Sequence, residues 1–153
     1  MDVRYINPFL TAIQNIFETM IDVPFKVGKP SIKKNPVTEY ELSGIIGLSG
    51  SVTGCVVVSL SKEVALELAS ELLGEELTAV NEDCTDAIGE ITNMITGNAK
   101  TDFPVAGCSI SVPSIIKGHH SVAFPSGIPV ITIPCNAGSG KMAVDIGLKL
   151  VET

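Results

Sequence analysis

The stretch Glu41–Gly74, ELSGIIGLSGSVTGCVVVSLSKEVALELASELLG, contains the signals that decide the fold. Two β-rich runs, residues 41–48 and Val52–Leu60, flank a short turn sequence that contains glycine, which predicts an antiparallel hairpin. Ser61 is a favourable N-cap, and apolar residues then recur at helical spacing up to the closing glycine, which suits a helix end. The stretch therefore predicts strand, turn, strand and helix in succession.

The remainder of the chain alternates between helical and β patterns. Asn7 as N-cap and Pro8 as first helical residue predict an amphipathic helix that ends near Val23-Pro24. Residues 25–38 predict an irregular or edge strand, and a further helix is predicted from Asn81 to Lys100. Four more β runs follow: Gly107–Val112, Ser121–Phe124, Ile128–Pro134 and Lys141–Val151. We therefore expect one α+β domain over residues 1–153, with helices packed on a mostly antiparallel sheet.

Composition bounds the class of protein. The 153 residues are 45% apolar and 18% charged, which is typical of one globular domain. Seventeen acidic against ten basic residues give a net charge of -7, which argues against nucleic acid or an anionic membrane surface as partner. No apolar run reaches the ~18–20 residues of a membrane span, and the N-terminus lacks the pattern of a signal peptide. A cytoplasmic location is therefore predicted.

Several residues that could carry chemistry are interpreted as structural. The cysteines are widely spaced and form no C-x-x-C pair, so we expect buried thiols and no metal site. The pair His119-His120 is predicted to lie in an exposed turn, and the run 138–141 lacks two key residues of a phosphate-binding loop. No small-molecule active site is complete. Four lysines are predicted to form a solvated basic stretch: Lys26, Lys29, Lys33 and Lys34.

The predicted helix from Asn81 to Lys100 carries two different faces. Its core stripe consists of Cys84, Ile88, Ile91 and Ile95. At ~100° per residue, the opposite face consists of Asp86, Glu90, Asn93 and Gly97, with Lys100 close to it. Glu90 and Asn93 are three residues apart, so both can point at one partner. Glycine in a helix costs ~1 kcal/mol relative to alanine, and Gly97 on this face leaves room for another surface. Spacing alone is a weak signal here.

The run Asp86–Lys100, DAIGEITNMITGNAK, resembles the E-x-x-N helix of the CheC/CheX/FliY family of chemotaxis phosphatases. Residues 48–74 are also similar to the strand, turn, strand and helix of that family. The chain is most similar to the CheX branch because it has one such motif, whereas the first helix has Glu18 followed by Ile21. The resemblance implies a CheC/CheX-like domain that hydrolyses the aspartyl phosphate of a CheY-type response regulator.

The resemblance also implies roles for individual residues. Asn93 would orient the attacking water, and Glu90 would pair with a lysine of the phosphorylated receiver. The residues implied to contact the partner are Asp86, Gly97 and Lys100. The resemblance implies no cofactor held by this chain, since Mg²⁺ would be bound by the receiver. The alternative function is a non-catalytic module that binds response regulators or resembles flagellar-switch proteins.

A homodimer is also implied, because CheX-type relatives dimerise. The β-rich C-terminal half is expected to supply edge strands, such as Ile128–Ile133, that could pair across a two-fold axis.

Overall fold

The computed structural model describes residues 2–33 and 40–151, which form three helices and one eight-stranded sheet. The helices are α1 Val3–Thr19, α2 Lys62–Leu73 and α3 Glu82–Thr101. The strands are β1 Phe25–Val27, β2 Ser31–Ile32, β3 Leu42–Gly50, β4 Val52–Leu60, β5 Cys108–Ile110, β6 Ser114–Lys117, β7 Val130–Ala137 and β8 Gly140–Leu150.

The sheet is antiparallel throughout its pairs, in the order β1-β7-β8-β4-β3-β5, with β2 also on β7 and β6 also on β3. Helices cover one face of the sheet, which we call the helix face. The opposite surface, which we call the back face, is formed on β3, β4, β7 and β8 by side chains that include Ser43, Ser59, Thr132 and Asp145. The predicted α+β class with a mostly antiparallel sheet is confirmed.

The hydrophobic core lies between the helices and the helix face. Alternate residues of β4 and β8, such as Val56 and Ile146, are fully buried there. The predicted core stripe of α3 is confirmed, since all four of its side chains are fully buried: Cys84, Ile88, Ile91 and Ile95. Burial of this stripe fixes which side of α3 faces outward.

Helix α1 begins earlier than predicted. It starts at Val3, where Asp2 caps it by accepting a hydrogen bond from the Arg4 backbone N–H at 2.9 Å, and Pro8 lies inside the helix. An interior proline costs about 3 kcal/mol. Tyr5 and Ile6 are only 2% and 5% exposed, and their burial offsets that cost. The helix also ends at Thr19, several residues before the predicted end.

One of the four β-rich runs predicted after α3 does not form a strand. The run Ser121–Phe124 is not a strand but crosses the back face. There the Phe124 ring covers Gly147, and a Cβ added to Gly147 would lie 2.7 Å from Phe124 Cδ1. The structure instead has the short strand β6, which pairs with β3 and was not predicted. The runs at 107–112, 128–134 and 141–151 are confirmed as strands with shifted ends. Residues 25–33 form two short strands, and 34–38 lie outside the described residues.

The prediction that Ile128–Ile133 is an edge strand is wrong. Strand β7 pairs with β8 on one side and with β1 and β2 on the other. Its backbone groups are therefore engaged within the sheet. The outer strands of the described sheet are β1 and β2 at one end and β5 and β6 at the other.

The prediction of a solvated lysine stretch is wrong for Lys33. Its Nζ lies 2.6 Å from Asp145 Oδ2, and the two side chains are only 15% and 1% exposed. Thr132 Oγ1 donates a second hydrogen bond to the same carboxylate at 2.6 Å. Lys26 and Lys29 are exposed as predicted, and Lys34 lies outside the described residues.

The prediction of an exposed histidine turn is correct for His119 and wrong for His120. The His120 ring is half-buried, with Nε2 2.7 Å from Ser43 Oγ and Nδ1 2.6 Å from the Gly118 carbonyl oxygen. Ser43 Oγ in turn lies 2.8 Å from Ser59 Oγ. His120 thus belongs to a polar network on the back face.

Candidate active site on helix α3

Helix α3 is stabilised at both ends by its own sequence. Asn81 Oδ1 accepts a hydrogen bond from the Cys84 backbone N–H at 2.9 Å, which makes Asn81 the N-cap. Glu82 and Asp83 lie in the first turn and Lys100 in the last, as the helix dipole favours. The helix predicted between Asn81 and Lys100 is therefore confirmed.

A glycine of the sheet sets how closely α3 approaches β3. A Cβ on Gly44 would overlap Thr92 Oγ1. Thr92 is fully buried, and its hydroxyl donates to the Ile88 carbonyl oxygen at 2.8 Å. Only glycine at this strand position allows the helix to lie so close, and this contact holds the helix at a fixed depth on the sheet.

The predicted site residues lie together on the outer face of α3. We call this the site face: Asp86, Glu90, Asn93 and Gly97. Asp86 and Glu90 are exposed, while Asn93 and Gly97 are half-buried. Neither Glu90 nor Asn93 makes a side-chain hydrogen bond or ion pair with any described residue. A carboxylate and an amide thus lie side by side with free donors and acceptors.

Lys100 lies at the end of the site face but already has a partner. Its Nζ donates a hydrogen bond to the Cys108 carbonyl oxygen at 3.1 Å, and the side chain is half-buried. This contact ties the last turn of α3 to the start of β5.

The two glycines of α3 face the connection between β5 and β6. A Cβ on Gly89 would lie 3.4 Å from Pro113 Cγ, and one on Gly97 would lie 3.9 Å from Ile110 Cδ1. The residues 110–113, which we call the flanking segment, therefore run beside the site face. Sequence reasoning missed this neighbour because it comes from a distant part of the chain. The signal for it was the pair of helical glycines.

The cysteines offer no nucleophile to this site. Burial raises the pKa of the thiols of Cys55, Cys84 and Cys108, and it raises that of Cys135 to about 12. The negative charge of Asp145 adds to the rise at Cys55. All four cysteines therefore remain neutral thiols at neutral pH. Because the thiolate is the reactive form of cysteine, none of them is an activated nucleophile.

The glycine-rich turn between β7 and β8 already binds an anion from the same chain. The Glu67 carboxylate accepts a hydrogen bond from the Ser139 backbone N–H at 2.9 Å and another from the Ser139 hydroxyl. A phosphate would have to displace this carboxylate, which agrees with the sequence-based rejection of a phosphate-binding loop.

The chemistry available to the site face is limited and specific. Within residues 2–33 and 40–151, no group of three or more His, Cys, Asp or Glu residues is placed to hold a metal ion. A carboxylate can bind an ammonium group, and an amide can both donate to and accept from a water molecule. The site face therefore offers an acceptor for an ammonium group beside an amide that can hydrogen-bond a water molecule.

Comparison with known proteins identifies the family. A model of the family described as chemotaxis phosphatase CheX matches residues 42–136. The chain belongs to this family. A curated relative, the CheY-P phosphatase CheX of Thermotoga maritima, is 27% identical over 121 residues, which cover 77% of this chain and 78% of the relative.

Solved structures of similar proteins share the fold over almost the whole chain. A CheC-like superfamily protein from Shewanella sp. PV-4 has a TM-score of 0.89 at 31% identity, covering 97% of this chain and 99% of that one. A CheX-CheY-BeF3-Mg²⁺ complex from Borrelia burgdorferi has a TM-score of 0.80 at 28% identity, covering 95% of this chain and 97% of that one. The resemblance and fold read from the sequence are therefore confirmed.

No helix among the described residues is long and apolar enough to cross a membrane. The cytoplasmic location stays a prediction.

Proposed function

We propose that this protein is a phosphatase that hydrolyses the aspartyl phosphate of a CheY-type receiver domain. The observation that carries the proposal is the pair Glu90 and Asn93, which lie three residues apart on the site face without a partner among the described residues. The Thermotoga maritima relative is named a CheY-P phosphatase, and the Borrelia burgdorferi structure pairs CheX with CheY. Both names agree with a receiver domain as partner.

We assign to Asn93 the role of positioning the attacking water. Its amide can accept a hydrogen bond from the water and donate one to a phosphoryl oxygen, so it can hold the water in line with the bond that breaks. An acyl phosphate with bound Mg²⁺ is already activated, and positioning supplies much of the remaining catalysis. An amide does this work without any change of protonation. Asn93 is half-buried, which limits its movement.

The reaction balances without a base on this chain. Water attacks phosphorus, the bond between phosphorus and the aspartate oxygen breaks, and the products are the aspartate carboxylate and dihydrogen phosphate. Both protons of the water leave with the phosphate. No covalent intermediate with this protein is formed, which agrees with the absence of a thiolate among its cysteines at neutral pH.

We assign to Glu90 the role of binding the active-site lysine of the receiver. The carboxylate is exposed and makes no ion pair within the described part of the chain, so it can accept an ammonium without losing another partner. Hydrogen bonds between charged groups are stronger than neutral ones and fix orientation. Glu90 would thereby place Asn93 beside the phosphoryl group.

The neighbouring residues have supporting parts in this proposal. Asp86 extends the acidic surface by one turn, and Gly97 leaves space for the receiver to approach. Lys100 contacts the partner only through the part of its side chain that its bond to Cys108 leaves accessible. The Mg²⁺ comes with the receiver.

A homodimer is a separate prediction from the family resemblance. Because β7 is internal, pairing would have to use another strand, such as an outer strand at one end of the sheet. Light scattering of the purified protein measures this directly, and a monomeric mass would contradict the prediction.

The test of the proposed function is the rate of phosphate loss from a Mg²⁺-loaded phosphorylated CheY-type receiver. Wild type, Glu90→Ala and Asn93→Ala are compared side by side, with the receiver's own rate as baseline. We expect Asn93→Ala to slow hydrolysis about 100-fold or more at saturating receiver, since misplacing a reacting group by 1 Å costs about this much. Glu90→Ala should raise KM.

Binding of the same proteins to a receiver loaded with beryllofluoride separates the two functions. If wild type binds this receiver but does not accelerate phosphate loss, the protein is a non-catalytic interaction module. Full activity in Asn93→Ala would contradict the assigned mechanism.

A further inference from the structure

The flanking segment runs antiparallel to α3 along the site face. Its end at Pro113 lies against Gly89, and its beginning at Ile110 lies against Gly97. Asn93 is four residues from each glycine on the same stripe of the helix. The middle of the flanking segment therefore passes Asn93 at the same level along the helix axis.

The middle of this segment presents an aliphatic side chain to solvent. Val112 is 83% exposed, the largest exposed fraction of any large apolar side chain among the described residues. Its neighbours in the segment, Ile110 and Pro113, are half-buried against α3. The anchors on either side thus hold Val112 outward beside the site face.

The exposure of Val112 does not come from a loose loop. The preceding Ser111 exchanges two hydrogen bonds with Gly47 of β3: its backbone N–H donates to the Gly47 carbonyl oxygen at 2.9 Å, and its Oγ accepts from the Gly47 N–H at 2.9 Å. The Ser111 hydroxyl also donates to the Val112 carbonyl oxygen at 3.0 Å. The backbone that carries Val112 is therefore fixed to the sheet.

We propose that Val112 is an apolar docking contact for the receiver domain, made in the same complex in which Asn93 reaches the phosphoryl group. This inference rests on the proposed function, because it names the occupant of the surface beside the site face. The partner surface is an apolar side chain of the receiver next to its phosphorylated aspartate. Val112 lies on the flanking segment, whose ends pack against Gly89 and Gly97 of α3, so we expect a receiver seated over Asn93 to reach it as well.

In this proposal, the polar pair of the site face and the apolar side chain of Val112 have different roles. Asn93 provides hydrogen bonds for the chemical step, and Glu90 provides a charge that fixes the orientation of the receiver and adds to its binding. Removal of apolar surface from water provides affinity, and a buried apolar contact surrounded by polar groups is common in interfaces. Val112 should therefore affect receiver binding and leave the chemical step unchanged.

The experiment measures kcat and KM for dephosphorylation of a CheY-type receiver by Val112→Ser, Val112→Leu and Ile32→Ser. Ile32 is the matched control because it is also an aliphatic residue, 64% exposed, but lies on β2 at the opposite end of the sheet. We expect Val112→Ser to raise KM about tenfold, the value of burying one such side chain, with kcat within about twofold. Val112→Leu and Ile32→Ser should match wild type.

The outcomes separate this inference from the proposed function. An unchanged KM in Val112→Ser, or an equal rise in Ile32→Ser, overturns the docking role even if wild type is an active phosphatase. If wild type binds the beryllofluoride-loaded receiver without hydrolysing phosphate, the phosphatase proposal fails, and a weaker binding of Val112→Ser alone still supports the contact. If wild type neither binds nor hydrolyses, both fail.

Discussion

The back face of the sheet and the site face of α3 both carry polar side chains, but only those on the back face have hydrogen-bond partners within the part of the chain that the structure describes. On the back face, Asp145 is 1% exposed and receives hydrogen bonds from Lys33 and Thr132. On the site face, Glu90 and Asn93 have no partner among the described residues. Buried polar groups need internal partners, whereas an unpartnered pair on a rigid helix is available to another molecule.

The difference teaches that polarity alone does not identify a functional residue. The pair of Ser43 and His120 looks like a nucleophile with its base, because Ser43 Oγ lies 2.7 Å from the ring. Ser43 is fully buried, however, and also bonds to Ser59. The network is closed to substrate and is structural. The free pair on the site face is the better candidate.

The largest expected effect concerns the buried ion pair. Lys33→Met leaves the Asp145 carboxylate buried without its cation, and we expect the free energy of unfolding to fall by about 3–5 kcal/mol. Chemical denaturation measures this loss. The dephosphorylation rate per folded molecule should be unchanged, because the pair lies on the opposite side of the sheet from α3.

The double variant with Asp145→Asn is the control for this prediction. It removes the unpaired charge, so its stability should recover part of the loss. A single Lys33→Met variant as stable as wild type would show that the ion pair contributes little.

A smaller effect separates the two glycines of α3. Replacing either Gly89 or Gly97 by alanine should raise the free energy of unfolding by up to about 1 kcal/mol through helix propensity. A methyl group fits at both sites, with nearest atoms at 3.4 and 3.9 Å. Only Gly97→Ala adds this group to the half-exposed site face, so we expect it alone to weaken receiver binding, about tenfold in KM.

Gly89→Ala is the matched control, since Gly89 is buried against the flanking segment. An equal KM for the two variants would mean that the receiver does not approach Gly97 closely.

The smallest expected effect is on the stability of the site face itself. Neither Glu90→Gln nor Asn93→Ala breaks a described contact, so neither should lower the free energy of unfolding by more than about 0.5 kcal/mol. Thr132→Val on the back face is the control, because it removes a hydrogen bond from a buried carboxylate and should cost about 1–3 kcal/mol. Equal losses on both faces would mean that the site-face residues contribute as much to folding as the buried polar network does.

Local sequence patterns predicted those parts of the fold that local physics determines. The β3–β4 hairpin, α2 with its Ser61 cap and α3 with its core stripe follow from turn residues, caps and apolar periodicity. The start of α1 did not, because its first turn is stabilised by the burial of Tyr5 and Ile6 in the core.

The candidate site was predictable only in part. The residues of the site face came from helical spacing, and their chemistry came from the family resemblance. Lys33 could not be assigned its role, because its partner lies 112 residues away in sequence. The position of Val112 depends equally on how β5 and β6 pair with β3, which no local pattern specifies.

The contact between Gly44 and Thr92 has a consequence for the thermodynamics of association. Because no methyl group separates the strand from the helix, Thr92 packs directly on the strand backbone, next in sequence to Asn93. We expect this packing to order the helix backbone that carries Glu90 and Asn93 before a receiver binds. Binding then immobilises only side chains, at about 0.5–1.5 kcal/mol each. The entropy of arranging the pair is lost when the chain folds, so encounter with a receiver requires no further ordering of the backbone.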